Sequence, residues 1–131
     1  MIPKFNKNGL LPLGSHTVTL SQIEKQYTYN YHRKKLFVGF KRGINSLRKA
    51  GCQIVYLDGS YITDKALPND FDACWDTQGV DINMLLNIEP VLLQFNNLRA
   101  AQKAKFHGEF FPAQSQAENT NPFRTFLDFS R

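Results

Sequence analysis

The sequence predicts an α/β (α+β) fold: a small mixed β-sheet with flanking helices, in one domain. Three observations carry that expectation. Residues 29–50 repeat apolar side chains at helical spacing, Phe37, Phe40, Ile44 and Leu47, and end at Gly51, a helix-terminating residue. Short β-branched and aromatic runs, 53–58, 70–75 and 105–111, alternate with helical stretches. The 131 residues, 42% hydrophobic with 11 Phe and 5 Tyr, are enough for one core and too few for two.

Taken in order, residues 1–20 read as an extended lead-in, because 9-GLLPLGSHTVTL-20 is punctuated by Gly and Pro. Ser21 and Glu24 have the spacing of a capping box and predict a helix beginning in SQIEKQY. The long helix 29–50 follows, then the strand 53-QIVYLD-58, a turn over 59–69 with Gly59, Pro68 and Asn69, and the strand 70-DFDACW-75. Helical patterns resume at 80-VDINMLLNI-88 and, after Pro90, at 91-VLLQFNNLRAAQKA-104, before a third strand, 105-KFHGEFF-111. The end of the chain, 113–131, reads as a polar loop followed by a short helix at 122-PFRTFLDF-129.

The net charge of +5 is unevenly placed. Eight Lys or Arg and no acid lie between Lys25 and Leu57, whereas six of the eleven acids lie between Asp58 and Asp81. A basic block beside an acidic one suits polyanion attraction next to a cation site, though a solvated helix face beside an acidic loop has the same composition. No apolar run is long enough to span a bilayer and MIPKFNKNG lacks the core of a signal peptide, so a cytoplasmic chain with no membrane partner is expected. Cys52 and Cys74, without a CxxC, read as reduced core thiols. HExxH, Walker, GxGxxG and GxSxG patterns are all missing.

The informative stretch is 57-LDGSYITDKALPNDFDACWD-76. Residues two apart in a strand share a face, so Asp70 and Asp72 project side by side, which is costly unless a cation lies between them. Paired hard oxygen ligands suit Mg²⁺ or Mn²⁺, and a preceding Gly-Ser turn can offer backbone N–H groups and a hydroxyl to phosphate. Metal and phosphate cradle together are what phosphoryl or nucleotidyl transfer needs.

Gly59-Ser60, nine residues, then Asp70-Phe71-Asp72 resembles the signature of the polymerase-beta-like nucleotidyltransferase superfamily. The stretches GLLPLGSHTVTL, LDGSYITDKALPNDFDA and NPFRTFLDF are similar to stand-alone bacterial nucleotidyltransferase-like proteins. Gly14-Ser15 is a second Gly-Ser, but Lys25 stands at the matching distance and no carboxylate pair follows. The resemblance implies one nucleotidyltransferase-like domain over 1–131, with an NTP as substrate and Asp70 and Asp72 holding Mg²⁺ or Mn²⁺. It implies a third carboxylate on a later strand, carried here onto Glu109, where the superfamily more often has Asp. Gly59 and Ser60 would hold the β- and γ-phosphates, and Thr63 and Lys65 in the spacer are further phosphate-contact candidates.

The acceptors it implies are an RNA end such as tRNA, a small molecule or a protein side chain, in some members within a toxin–antitoxin or phage-defence pair. Two other readings stand beside the transferase. One is a non-catalytic binding or antitoxin partner that keeps the fold. The other is a metal-dependent phosphohydrolase using Asp70, Asp72, His107 and Glu109. Asp58 is expected to support the turn, His107 to share a face with Glu109, and Tyr61 and Trp75 to be core aromatics or base-stacking groups.

Overall fold

A computed structural model describes residues 14–58, 60–113 and 123–129. Its elements run β1 (Gly14–Val18), α1 (Leu20–Tyr27), α2 (Tyr31–Lys49), β2 (Ile54–Asp58), β3 (Phe71–Trp75), α3 (Ile82–Ile88), α4 (Asn96–Phe106), β4 (Gly108–Pro112) and β5 (Phe123–Asp128), with short 3₁₀ turns at Ser60–Ile62 and Pro90–Leu93. Among the described residues this is a mixed α+β arrangement of four helices and a five-stranded sheet ordered β1-β5-β2-β3-β4. The outer pairs β1·β5 and β3·β4 are parallel, and the inner pairs β5·β2 and β2·β3 are antiparallel. No described helix is long and apolar enough to cross a membrane.

Helix ends follow local chemistry. The capping box of α1 sits two residues upstream of the Ser21–Glu24 position expected from sequence: Thr19 accepts from the Gln22 N–H at 3.1 Å, and the Gln22 side chain accepts from the Thr19 N–H at 3.0 Å. Starting there brings Leu20 into the helix, in line with the buried Ile23 and Tyr27. Asn30 caps α2 by accepting from the Arg33 N–H at 2.8 Å, and Asp81 caps α3 through the Met84 N–H at 3.1 Å. Helix α2 ends at Ala50, and Gly51 leaves it with φ +102°, the left-handed turn that glycine adopts without penalty.

Three expectations are corrected. Residues 91–104 are not one helix: a 3₁₀ turn over Pro90–Leu93 follows Pro90, and α4 begins only at Asn96. Residues 105–107 belong to the end and cap of α4 rather than to a strand, and β4 starts at Gly108. Of the helix expected over 122–129, the described residues 123–129 are not helical. Phe123–Asp128 form a strand inserted between β1 and β2. Period-two alternation explains this, with Leu127 buried in the core and Phe126 on the other face against Tyr56, ring centroids 5.7 Å apart.

The core lies between α2 and one face of the sheet. Phe40 meets Phe71 edge-on at 5.3 Å and stacks on Phe110 at 6.2 Å, while Phe106 of α4 closes on Phe110 at 5.5 Å. Tyr61 and Trp75, at 0% and 1% exposure, are core aromatics rather than base platforms. Both cysteines are buried and neither forms a disulfide among the described residues, and burial pushes the Cys52 thiol up to about 11, as expected for an inert core thiol.

Gly39 and Gly43, one turn apart on α2, allow the close approach of α4 and β4. A Cβ at Gly39 would stand 1.7 Å from the Phe106 carbonyl oxygen, and one at Gly43 would enter the Phe110 ring at 2.3 Å. Backbone cannot yield as a side chain can. Gly39→Ala is therefore expected to destabilise the fold by about 3 kcal/mol or more, at the upper end of overpacking costs, read as a lower denaturation midpoint in urea.

Candidate metal and phosphate site

Parallel pairing of β3 with β4 sets Asp72 opposite Glu109 in register, and antiparallel pairing with β2 sets Asp58 opposite Asp72. Asp72 and Glu109 thus rise from the face of the sheet that α2 does not cover. Asp70 stands one residue before β3 rather than within it, yet its carboxylate joins the others. One oxygen from each of Asp70, Asp72 and Glu109 lies within 4.8 Å of the others, the only such group of three potential ligands among the described residues.

The electrostatics of this cluster are unfavourable by design of its register. Burial, then the neighbouring Asp70, Glu109 and Asp58, push the Asp72 carboxyl up to about 7. Burial and Glu109 raise Asp70, with Lys103 opposing. Carboxylate oxygens this close repel one another unless a proton or a cation lies between them. An all-oxygen donor set of this kind, short of positive charge, fits a hard divalent cation such as Mg²⁺ or Mn²⁺.

Two cations that sequence reasoning missed reach the cluster. Arg99 Nε contacts Glu109 Oε1 at 3.0 Å, and Lys103 Nζ contacts the same oxygen at 3.4 Å. The first turn of α4 is left-handed: Asn97, Leu98 and Arg99 have φ of 52°, 56° and 60°. Three consecutive non-glycine residues in that region cost on the order of 1–2 kcal/mol each. The arrangement brings the Arg99 guanidinium over the Phe111 ring, 4.2 Å from its centroid, and onto Glu109. No sequence pattern marks Arg99, because a left-handed turn without glycine has no compositional signature.

The remaining predicted residues divide. Gly59 lies outside the described residues. Ser60 opens the 3₁₀ turn, and nothing is described of its side chain. The backbone carbonyls of Thr63 and Lys65 are held at α2. Buried Arg33 does this: Nη1 donates to the carbonyls of Tyr27 (3.2 Å) and Tyr61 (2.7 Å), and Nη2 to those of Thr63 and Lys65 (2.7 Å each). Tyr29 Oη donates to the Asp64 carbonyl and Asn30 Nδ2 to that of Ala66, so the whole spacer is fastened to the start of α2. Asp58 is buried beside Asp72. His107 does not share a strand face with Glu109. It caps α4 in a left-handed conformation (φ 64°) and lines the cleft that holds Asp70 and Lys103.

A raised carboxyl pKa has a defined consequence for stability. Between the unfolded value near 4 and the folded value of about 7, the folded chain binds a proton that the unfolded chain has released, so stability falls as pH rises through that window. The metal-free protein is expected to melt lower at pH 7.5 than at pH 5. Asp72→Asn should flatten that profile and raise stability at pH 7.5 by about 1–3 kcal/mol. Thermal melts of both proteins across pH, in EDTA, check this; a profile unchanged by the substitution would refute the assignment of the proton to this cluster.

No curated protein and no solved structure matches the chain. Residues 3–131 match the Family of unknown function (DUF6932), and the chain belongs to that family.

Proposed function

We propose that the protein is a nucleotidyltransferase that moves a nucleoside monophosphate from an NTP to an acceptor hydroxyl. The observation that carries this reading is the meeting of Asp70, just before β3, with Asp72 of β3 and Glu109 of β4, one oxygen of each within 4.8 Å of the others. The resemblance of Gly59-Ser60 and Asp70-Phe71-Asp72 to the polymerase-beta-like signature supports it, and so does the mixed sheet that brings the later carboxylate of β4 beside β3.

In the reaction, the acceptor oxygen bonds to the α-phosphorus while the bond to the β-phosphate bridging oxygen breaks and pyrophosphate leaves. The hydroxyl proton passes to a carboxylate of the cluster, Glu109 being the member suited to act as base. Asp70, Asp72 and Glu109 would hold a divalent ion, which when bound supplies charge neutralisation for the triphosphate and a lower pKa for the acceptor hydroxyl. Arg99 and Lys103, already beside Glu109, are placed to balance charge developing on the departing pyrophosphate. Arg33 holds the Thr63–Lys65 backbone in place and so sets the course of the segment between the Gly-Ser turn and Asp70.

A second reading has an observation of its own. Arg99 and Lys103 compensate Glu109 without any ion, which suits a binding partner that keeps the fold and transfers nothing. One experiment separates the two: purified protein with Mg²⁺ or Mn²⁺, each α-labelled NTP in turn, and total RNA plus cell lysate as acceptors. Wild type is expected to label an acceptor band, and Asp70→Asn/Asp72→Asn to lose about a hundredfold or more of that label. No label with any nucleotide, together with no shift of melting temperature by either ion, would replace the transferase with the binding partner.

A further inference from the structure

Two clefts adjoin near the start of α2, and one of them reaches the acidic cluster. The first, of 510 Å³, is walled by His32, Asn69, Asp70 and Lys103. The second, of 330 Å³, runs along the outer face of α2 past Tyr31, Lys34, Val38 and Arg42. Lys35 and His107 line both, so the clefts are neighbours, one along α2 and the other beside Asp70.

The second cleft has the chemistry of a strand-binding groove. Residues 31, 34, 35, 38 and 42 fall on a single stripe of the helix. Lys34, Lys35 and Arg42 are exposed and make no ion pair with a described carboxylate, and α2 itself contains no Asp or Glu. Lys105 across the groove is already paired with Glu89 at 2.8 Å and adds little net charge. Tyr31, 84% exposed, and Val38, 59% exposed, interleave with these cations. An exposed aromatic ring among unpaired cations is how single strands are held: phosphates on the cations, a base on the ring. Charge complementarity selects a polyanion, and the ring selects one that carries bases.

We propose that this groove binds a single-stranded polynucleotide whose end reaches the acidic cluster, making that strand the acceptor. The role as acceptor rests on the transferase reading; the binding does not. The strand lies along α2, its backbone against Lys34, Lys35 and Arg42 and a base on Tyr31, and its terminal nucleotide passes His107 toward Asp70.

The test measures fluorescence anisotropy of fluorescein-labelled twelve-nucleotide RNA and DNA of one sequence, in EDTA, on the full chain. Two charge-matched variants are compared: Lys34→Glu/Arg42→Glu in the groove, and Lys41→Glu/Lys49→Glu on exposed positions of α2 outside it. The groove pair should bind at least about tenfold more weakly and the other pair within about threefold of wild type; Tyr31→Ala should lose roughly fivefold or more. The wild-type slope of log affinity against log salt should be about −2, as for three phosphate contacts on a single strand. In the unaltered protein, bound strand should protect Lys34 and Lys35 from acetylation, a readout that depends on no variant folding.

Absence of binding, equal weakening by both pairs, or no protection of Lys34 and Lys35 would overturn the groove. A labelled protein band that excess strand fails to suppress would overturn the acceptor role. Asp70→Asn/Asp72→Asn should still bind the strand. Strand binding with no label transferred to anything would sink the transferase reading alone and leave the groove standing.

Discussion

The site depends on one register: Asp72 opposite Glu109 across a parallel strand pair. Parallel neighbours cannot be joined by a tight turn, so the chain leaves β3 at Trp75 and returns at Gly108 only after α3, a 3₁₀ turn and α4. That excursion is what carries Arg99 and Lys103 to Glu109. Buried Gln102 ties the return in place. Its Oε1 accepts from the Phe110 N–H at 2.6 Å, and its Nε2 donates to the carbonyls of Leu92 and Gln94. A slip of β4 by one residue would exchange Glu109 for a core aromatic and break that bond as well.

The two faces of the sheet divide the labour. One face packs against α2, where glycines at 39 and 43 let Phe106 and Phe110 close on the helix. The opposite face collects carboxylates whose mutual repulsion is offset only in part by Arg99 and Lys103. Stability given up there, together with the left-handed turn at Asn97–Arg99, is supplied by the aromatic core beneath. Such local cost is tolerated where the surrounding structure is stable enough to hold it. The same helix that buries Phe37, Phe40 and Ile44 exposes Lys34, Lys35 and Arg42, so α2 is at once the floor of the core and one wall of a basic cleft.

Several features were legible without coordinates because they depend on neighbours in the chain. The amphipathic period of α2, its end at Gly51, the strands at 54–58 and 71–75, and the side-by-side placement of Asp70 and Asp72 all follow from spacing alone. The choice of Glu109 as a companion carboxylate came from a resemblance, and the register then placed it opposite Asp72. Short segments misled where local patterns compete. Ser21–Glu24 and Thr19–Gln22 both satisfy a capping box, and the second is the one that takes Leu20, packed against the core, into the helix. PFRTFLDF reads equally as a short helix, and becomes a strand because β1 and β2 leave a place between them.

What the chain determined by itself was the inventory: an α+β domain, a paired-aspartate motif, a basic helix and reduced thiols. What only tertiary structure decided was proximity. Arg33 is one more basic residue in a basic helix until its guanidinium is found buried against four carbonyl oxygens. Thr63 and Lys65 are two spacer residues in the sequence, and only the folded chain shows their carbonyls fastened to α2. Arg99 and His107 acquire a place beside the cluster through left-handed backbone that no composition announces. Periodicity is a property of adjacent residues and can be read along a chain, whereas a like-charge cluster, its counter-charges and the cleft beside it are sums over residues tens of positions apart, and exist only once the sheet has closed.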